Sequence, residues 1–449
     1  MAADNWNPHQ GGGNDFFLPT PPSERPYGRL YAAFEIPAVD EDGQNQHNHP
    51  RYSSSRAEPV YLECAGADWI DGMGELPSDK FWRKVPLSVV AVDPDWWQQY
   101  LPLDAPPGTI VWFKIHVSPA SRAEANGMQF HRLLDAGIDV KVRVEAGGTP
   151  ISPLAPRYWI QEHATVPMDN VVQDLQSSAN TTSGVVVFDV GQGASQALMM
   201  SDGFHLVPVL YVDVGGGVMQ NLATFPKTFK GFRSPAPIIL SHWDWDHWSS
   251  ISRFPELLDN DWIAPLPPDK PIQQALAWIL NGLGRLSLWG PGMPGTYRTK
   301  HFLLERCTGR TTNDSGIAVT LFGGAKGSKS CLLPGDANYA HIPSVHTQRF
   351  NALSISHHGG RLHSKTIPIP KRGAIAACSV GAGNSYKHPF WETVHAHHDE
   401  GWPTPVSTGY FGHRPSHVYL PWKGKLRVVT PCPTCNDNTK LRPGLWPAI

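Results

Sequence analysis

The chain has 449 residues, 41% hydrophobic and 17% charged, with a formal net charge of −2. That length suits two domains, and a balance so near neutral excludes a global electrostatic pull on nucleic acid or a membrane surface. It contains no run of five or six basic residues and no stretch of 18 apolar residues, so neither a polyanion-binding tail nor a membrane partner is expected.

Residues 1–57 are rich in Pro, Gly, Asn, His and Ser, and runs such as Gly11-Gly12-Gly13 break any periodicity. They read as a flexible or irregular lead-in. It does not open with a basic segment and an apolar core, so no secretory signal is expected. Residues 58–178 read as an accessory α+β module of unassigned role. Strand-like runs fall at 59–64, 87–92, 109–117 and 138–144, and a helix is predicted over 121–136, with Gly137 as its stop. From 179 to 430, apolar runs at 185–190, 206–214, 237–240, 317–322, 330–333, 352–355 and 374–380 alternate with Gly-rich turns, and residues 271–287 predict a helix between them. Several runs end in a residue capable of chemistry, which suits strands presenting ligands at their C-terminal ends. Residues 431–449 read as a C-terminal tail.

The six cysteines are sparse. Cys64, Cys307, Cys331 and Cys378 read as buried thiols. Cys432 and Cys435 form a single CxxC with no second pair, so a loop is expected there and not a zinc knuckle. This usage suits a reducing cytoplasm.

The chemistry concentrates in Ser241-His242-Trp243-Asp244-Trp245-Asp246-His247-Trp248, directly after the apolar run 237–240. Four metal-ligand side chains lie within six residues, and Asp and neutral His are ordinary donors for divalent cations. A solvated loop would explain the two Asp and two His but not the three interleaved tryptophans. Two further runs end in Gly335-Asp336 and in His357-His358-Gly359-Gly360. Taken alone, Gly-Asp is most simply a turn; in this order behind the first motif, the three pieces read as one site.

The order and spacing of these motifs resemble the metallo-β-lactamase superfamily. With Asp244 where the common pattern has a second His, they resemble the hydrolase domain of ComEC-type DNA-internalisation competence proteins. Asp189-Val190-Gly191-Gln192-Gly193, Asp213-Val214-Gly215-Gly216, Asn313-Asp314-Ser315 and the segment 379–389 resemble further elements of that branch, with Lys387 where Gly is usual. The resemblance spans about residues 183–395, and no membrane channel segments accompany it.

The resemblance implies an αββα sandwich of α/β (α+β) class behind the accessory region. It also implies two divalent metal ions, zinc or manganese. His242 and Asp244 would hold the first ion, Asp246, His247 and His357 the second, and Asp336 would bridge them. His301 is a candidate for an additional ligand. Such ions lower the pKa of a bound water toward about 7. Asp246 is the expected proton acceptor and His388, in protonated form, the expected substrate-side acid. Asn384, Tyr386 and Lys387 are candidates for binding phosphate oxygens. Asp189 is expected to shape its Gly turn and His358 to support the ligands from behind. His395, His397 and His398 read as one surface helix. The implied activity is a phosphodiesterase or nuclease, whose substrate is DNA, RNA or a nucleotide. Hydrolysis of a small ester, lactone or amide, or a regulatory metal-binding role in a multi-protein system, stays open.

Overall fold

A computed structural model describes residues 27–37, 59–72, 87–153, 182–411 and 417–443, with breaks at 103–104, 132, 202–204, 228, 230, 233–234, 291, 325–326 and 432–440. The Cys432/Cys435 pair lies outside the described residues. Among the described residues, no helix is long and apolar enough to cross a membrane.

The N-terminal strands are β1 (Gly28–Glu35), β2 (Val60–Gly66), β3 (Leu87–Val92), β4 (Ile110–Pro119), β5 (Gly127–Phe130) and β6 (Ile138–Thr149). They form a closed barrel in the order β1-β2-β3-β5-β6-β4, and β4 pairs back onto β1. Two short helices, α1 (Ala67–Gly72) and α2 (Pro94–Gln98), follow β2 and β3. Alternation sets the two faces. Ala32, Leu62, Cys64, Val90 and Phe113 fill the interior around Trp97. Ala33, Ala65, Leu87, Val89, Ala91 and Trp112 point outward into a second core. With both faces buried, β3 has no polar face, which is why Leu87–Val92 reads as a continuous apolar run.

β1 lies inside the stretch read as an irregular lead-in. The helix predicted over 121–136 is a turn followed by β5, which pairs with β3 and β6. Asn126 sets the local geometry: its side chain accepts from Val142 N at 2.6 Å and donates to Val142 O at 2.9 Å. Those cross-strand bonds and the neighbouring ladders outweigh the helix-like spacing.

The remaining elements are β7 (Thr182–Val187), β8 (Ser195–Ser201), β9 (Leu206–Val214), β10 (Ile238–Ile239), β11 (Trp262–Pro265), α3 (Pro271–Gly282), β12 (Leu286–Trp289), β13 (Thr296–Arg298), β14 (Phe302–Arg306), β15 (Ile317–Gly323), β16 (Lys329–Leu333), β17 (Arg349–Ser354), β18 (Ile369–Cys378), α4 (Trp391–Asp399), β19 (Val406–Ser407), β20 (His417–Pro421), β21 (Arg427–Pro431) and β22 (Leu441–Pro443). One sheet runs β12-β11-β10-β9-β22-β21-β20-β7-β8, the other β13-β14-β15-β16-β17-β18-β19. β22 carries the sheet into the segment read as a C-terminal tail.

The sheets face each other across a core containing Val185, Val187, Val212 and Ile239 from the first and Ile317, Val319, Leu333 and Ala377 from the second. The outer face of the first sheet packs on Ile272, Ala275, Leu276 and Leu280 of α3 and on the barrel's outward residues. Leu332, Leu353 and Ala376 cover the outer face of the second, with Ala396 of α4 packed against them. The molecule is therefore mixed α+β, with helix–sheet–sheet–helix layering and a barrel sharing the core beneath α3.

Candidate metal centre

Three loops and a strand end converge at the C-terminal ends of parallel strands, where α/β sheets usually place their sites. The loop after β10 carries His242, Asp244, Asp246 and His247, with a short 3-10 turn at Trp245–His247. The loop after β16 carries Asp336, and the loop after β17 carries His357 and His358. The end of β9 supplies Asp213. Close approach demands glycine at two points. A Cβ on Gly215 would lie 1.5 Å from the Asp246 carbonyl oxygen. Gly335, at φ +60°, would clash with the Ser241 side chain at 2.6 Å.

His247 Nε2 lies 3.1 Å from Asp336 Oδ1 and 4.0 Å from Asp246 Oδ1, and His358 Nε2 lies 3.2 Å from Asp246 Oδ2 and 3.7 Å from Asp336 Oδ1. His242 Nε2 lies 3.6 Å from Asp244 Oδ2 and 3.9 Å from Asp336 Oδ2. Two sets of three donors, His242/His247/Asp336 and Asp246/His247/His358, each gather within 4.8 Å. Donors about 2.0–2.2 Å from a tetrahedral zinc are about 3.4 Å apart, so this spacing is of the right order. The Nε2 atoms of His242, His247 and His358 are buried with no hydrogen-bond partner. Three orphaned imidazole nitrogens aimed at carboxylates are costly unless a cation joins them. The residues present fit a divalent metal.

Their surroundings fix them. His247 Nδ1 bonds Asp213 Oδ2 at 2.8 Å, which turns Nε2 toward the cluster. Asp213, fully buried at φ 57°, also accepts from Ser241 N at 2.7 Å and Ser241 Oγ at 2.8 Å. Burial opposes the charge on Asp336, yet His247, His358 and His357 around it hold its carboxyl well below the usual range. Burial likewise opposes the charge on Asp244, and His242 and Lys270 bring it down.

The expected site residues divide. His242, Asp244, Asp246, His247 and Asp336 come together. His357 sits at the rim, its side chain 31% exposed and its Nε2 3.8 Å from Asp336 Oδ2. The next residue, His358, expected behind the ligands, lies among them, while its Nδ1 bonds Ser379 O at 2.9 Å. Both histidines hold left-handed backbones, at φ 52° and 53°, a strained state for residues with a Cβ that concentrates at functional sites. That turn decides which imidazole points inward, and a sequence reading cannot see it. His301 belongs to neither donor set.

His388 and Tyr386 line the cavity above the cluster. Burial, helped by His357 and His358, pushes the His388 imidazole well below its usual pKa. It is neutral near pH 7, not the protonated group expected. Gln192 Nε2 lies 3.4 Å from His388 Nδ1, which leaves the hydrogen on Nε2. Asn384 turns away: its amide donates to Gly381 O and His388 O, and its oxygen accepts from His388 N. Lys387 is exposed and lies off the cavity wall. Asp189 accepts from Gly191 N at 3.3 Å and so shapes its turn as expected. The 391–399 segment is helical, but His397 faces inward, bonding Tyr339 Oη at 2.9 Å.

The opposite wall was not foreseen. Glu35, Tyr61 and Glu63 of the barrel, with Lys270 and Gln273 at the start of α3, enclose a cavity of about 260 Å³ over the cluster. Glu63, reaching across from β2, accepts from Ile272 N and Gln273 Nε2, both at 2.9 Å, and so caps α3. Burial pushes its carboxyl up to about 7, against the pull of nearby Lys270.

No family model matches the chain, and no curated protein matches it. Among solved structures, Zn(2+)-bound PqqB from Methylobacterium extorquens aligns with 50% of this chain and 98% of its own, at 8% identity and a TM-score of 0.27. MEM-A1, a subclass B3 metallo-beta-lactamase isolated from a soil metagenome library, aligns with 40% of this chain and 79% of its own, at 13% identity and a TM-score of 0.24.

Proposed function

We propose that the chain is a metal-dependent hydrolase whose site acts on a phosphodiester in a small substrate. The observation that carries this reading is the set of three buried imidazole nitrogens that make no hydrogen bond and converge on Asp336 and its neighbouring aspartates. A divalent cation bound there supplies Lewis acidity and a water made nucleophilic near neutral pH. His358 takes the inward ligand position expected of His357, and His247 is common to the two donor sets. Asp246, 23% exposed at the cavity floor, is placed to take a proton from the attacking water. His388, with its hydrogen on Nε2, donates a hydrogen bond to the substrate without carrying charge. The three Asp donors favour a hard cation and a phosphoryl oxygen, and the order of motifs shared with competence-type hydrolases supports the same chemistry.

The cavity narrows the substrate. At about 260 Å³ under the barrel wall, it lies below the ~300–1,000 Å³ usual for small-molecule sites. A nucleotide or similarly small diester therefore suits it better than a long polynucleotide. The same enclosure supports a second reading, hydrolysis of a small ester, lactone or amide.

The test measures bound metal on the purified chain and hydrolysis of bis(p-nitrophenyl) phosphate, p-nitrophenyl acetate, DNA and RNA in Mn²⁺ or Zn²⁺. The Asp246→Ala, His247→Ala double variant is expected to lose diester turnover by at least 10³-fold. Turnover of the acetate alone would establish the second reading. Less than one metal per chain with no activity on any probe would remove both.

A further inference from the structure

Among its histidines and neutral side chains, this cavity carries five carboxyl groups and one ammonium. Glu35, Glu63, Asp244, Asp246 and Asp336 line it, and Lys270 is the single Lys or Arg among the described lining residues. Lys270 precedes α3, and its side chain is only 12% exposed. The barrel holds it. Glu35 on β1 receives Lys270 Nζ at 2.9 Å, and the Glu35 carboxylate is itself anchored by Thr312 N and Thr312 Oγ1. Asp244 Oδ1, on the cavity side, is 4.0 Å away and beyond hydrogen-bond reach. One of three ammonium hydrogens is therefore spoken for by Glu35, and the group faces the cavity beside a metal-ligand aspartate.

We propose that Lys270, held in place by the barrel's Glu35, is the anion-recognition residue of this site, and that it selects substrates carrying one negative charge at the reacting group. A single ammonium ringed by carboxylates complements a monoanion such as a phosphodiester. A dianionic monoester, or the flanking phosphates of a polynucleotide, would meet Glu35 at the wall and Asp244 beside it. The barrel then has a role in specificity: it fixes the cation and supplies the repulsion that rejects extra charge. The inference deepens the hydrolase reading, and its test is equilibrium binding, so the two can fail separately.

The experiment is calorimetric titration of the full Zn²⁺-loaded chain with dimethyl phosphate, a monoanion, and trimethyl phosphate, its neutral counterpart. Lys270→Gln is expected to weaken dimethyl phosphate binding at least 10-fold and to leave trimethyl phosphate unchanged. Lys270→Arg should restore the monoanion to within about 3-fold of wild type. Glu35→Gln, which removes the carboxylate that holds Lys270 and repels a second charge, should reduce the preference for dimethyl phosphate over methyl phosphate, a dianion at pH 8, in the same titration. Bound zinc and the circular dichroism spectrum report whether each variant keeps its fold and metal. If Lys270→Gln fails to fold, Glu35→Gln decides, and an unchanged preference for the monoanion over the dianion there overturns the proposal. So does a Lys270→Gln protein that binds dimethyl phosphate as the wild type does, or a wild type that binds neither probe. Loss of hydrolysis with charge-selective binding intact would remove the hydrolase reading and leave this one standing.

Discussion

The chemistry of single residues depends on partners outside the obvious motif. His247 presents Nε2 to the cluster because Asp213 holds its other nitrogen at 2.8 Å, and Ser241 ties Asp213 to the same loop. Such a supporting carboxylate typically contributes about 10–100-fold in metal affinity. Asp213→Asn is therefore expected to lower zinc affinity by about that factor, read by competition with a chromophoric chelator. Affinity equal to wild type would show that the contact does not orient the imidazole. Asp213 was visible only as part of a strand-and-glycine signature. Nothing in a linear reading marks it as a partner of a residue 34 positions away.

Among the elements, α3 shows how the barrel and the sandwich are joined. The helix begins at Pro271, and the residue before it makes no side-chain cap. The capping acceptor comes from β2, where Glu63 receives Ile272 N and Gln273 Nε2. Trp112 of β4 adds a bond to Asp269 at 3.3 Å. Removing the Glu63 side chain leaves buried donors without an acceptor, which costs about 1–3 kcal/mol. Glu63→Ala should lower the urea midpoint accordingly, and an unchanged midpoint would mean the helix end finds another acceptor. Seven of the sixteen strands in the two sheets, β7, β9, β10, β15, β16, β17 and β18, were legible as apolar runs; β12 fell partly within the predicted helix 271–287, which ends at Gly282. In the barrel, β5 was not legible, because four residues paired on both sides take their conformation from neighbours rather than from spacing.

For the whole molecule, barrel and sandwich share one core, and a buried imidazole within the sandwich makes stability depend on pH. His417, at the head of β20, accepts from Asp189 N at 2.9 Å, and burial pushes its pKa down from 6.5 to about 3. The sign follows directly. Between those values the unfolded chain binds a proton that the folded chain refuses, so His417's contribution is full above pH 6.5 and shrinks as the pH falls toward 3. The slope is at most about 1.4 kcal/mol per pH unit. His417→Gln should be less stable than wild type at pH 7, and the gap should narrow in chemical denaturation at pH 6, 5 and 4. A constant gap would mean that His417 does not carry this dependence.

The sequence by itself determined the ligand chemistry and the strands that deliver it. Ligand residues must stand at strand ends, and a run of apolar residues closed by Asp or His records that locally. It also marked a helix at 271–287, which the structure ends at Gly282. Tertiary structure decided the rest. It chose His358 over its neighbour for the inward position, turned Asn384 back onto its own loop, and left Lys387 outside the cavity. It also brought Glu35, Glu63 and Lys270 over the cluster from β1, β2 and the start of α3. Those outcomes depend on backbone handedness at single residues and on contacts between segments more than two hundred positions apart, and local spacing carries no record of either.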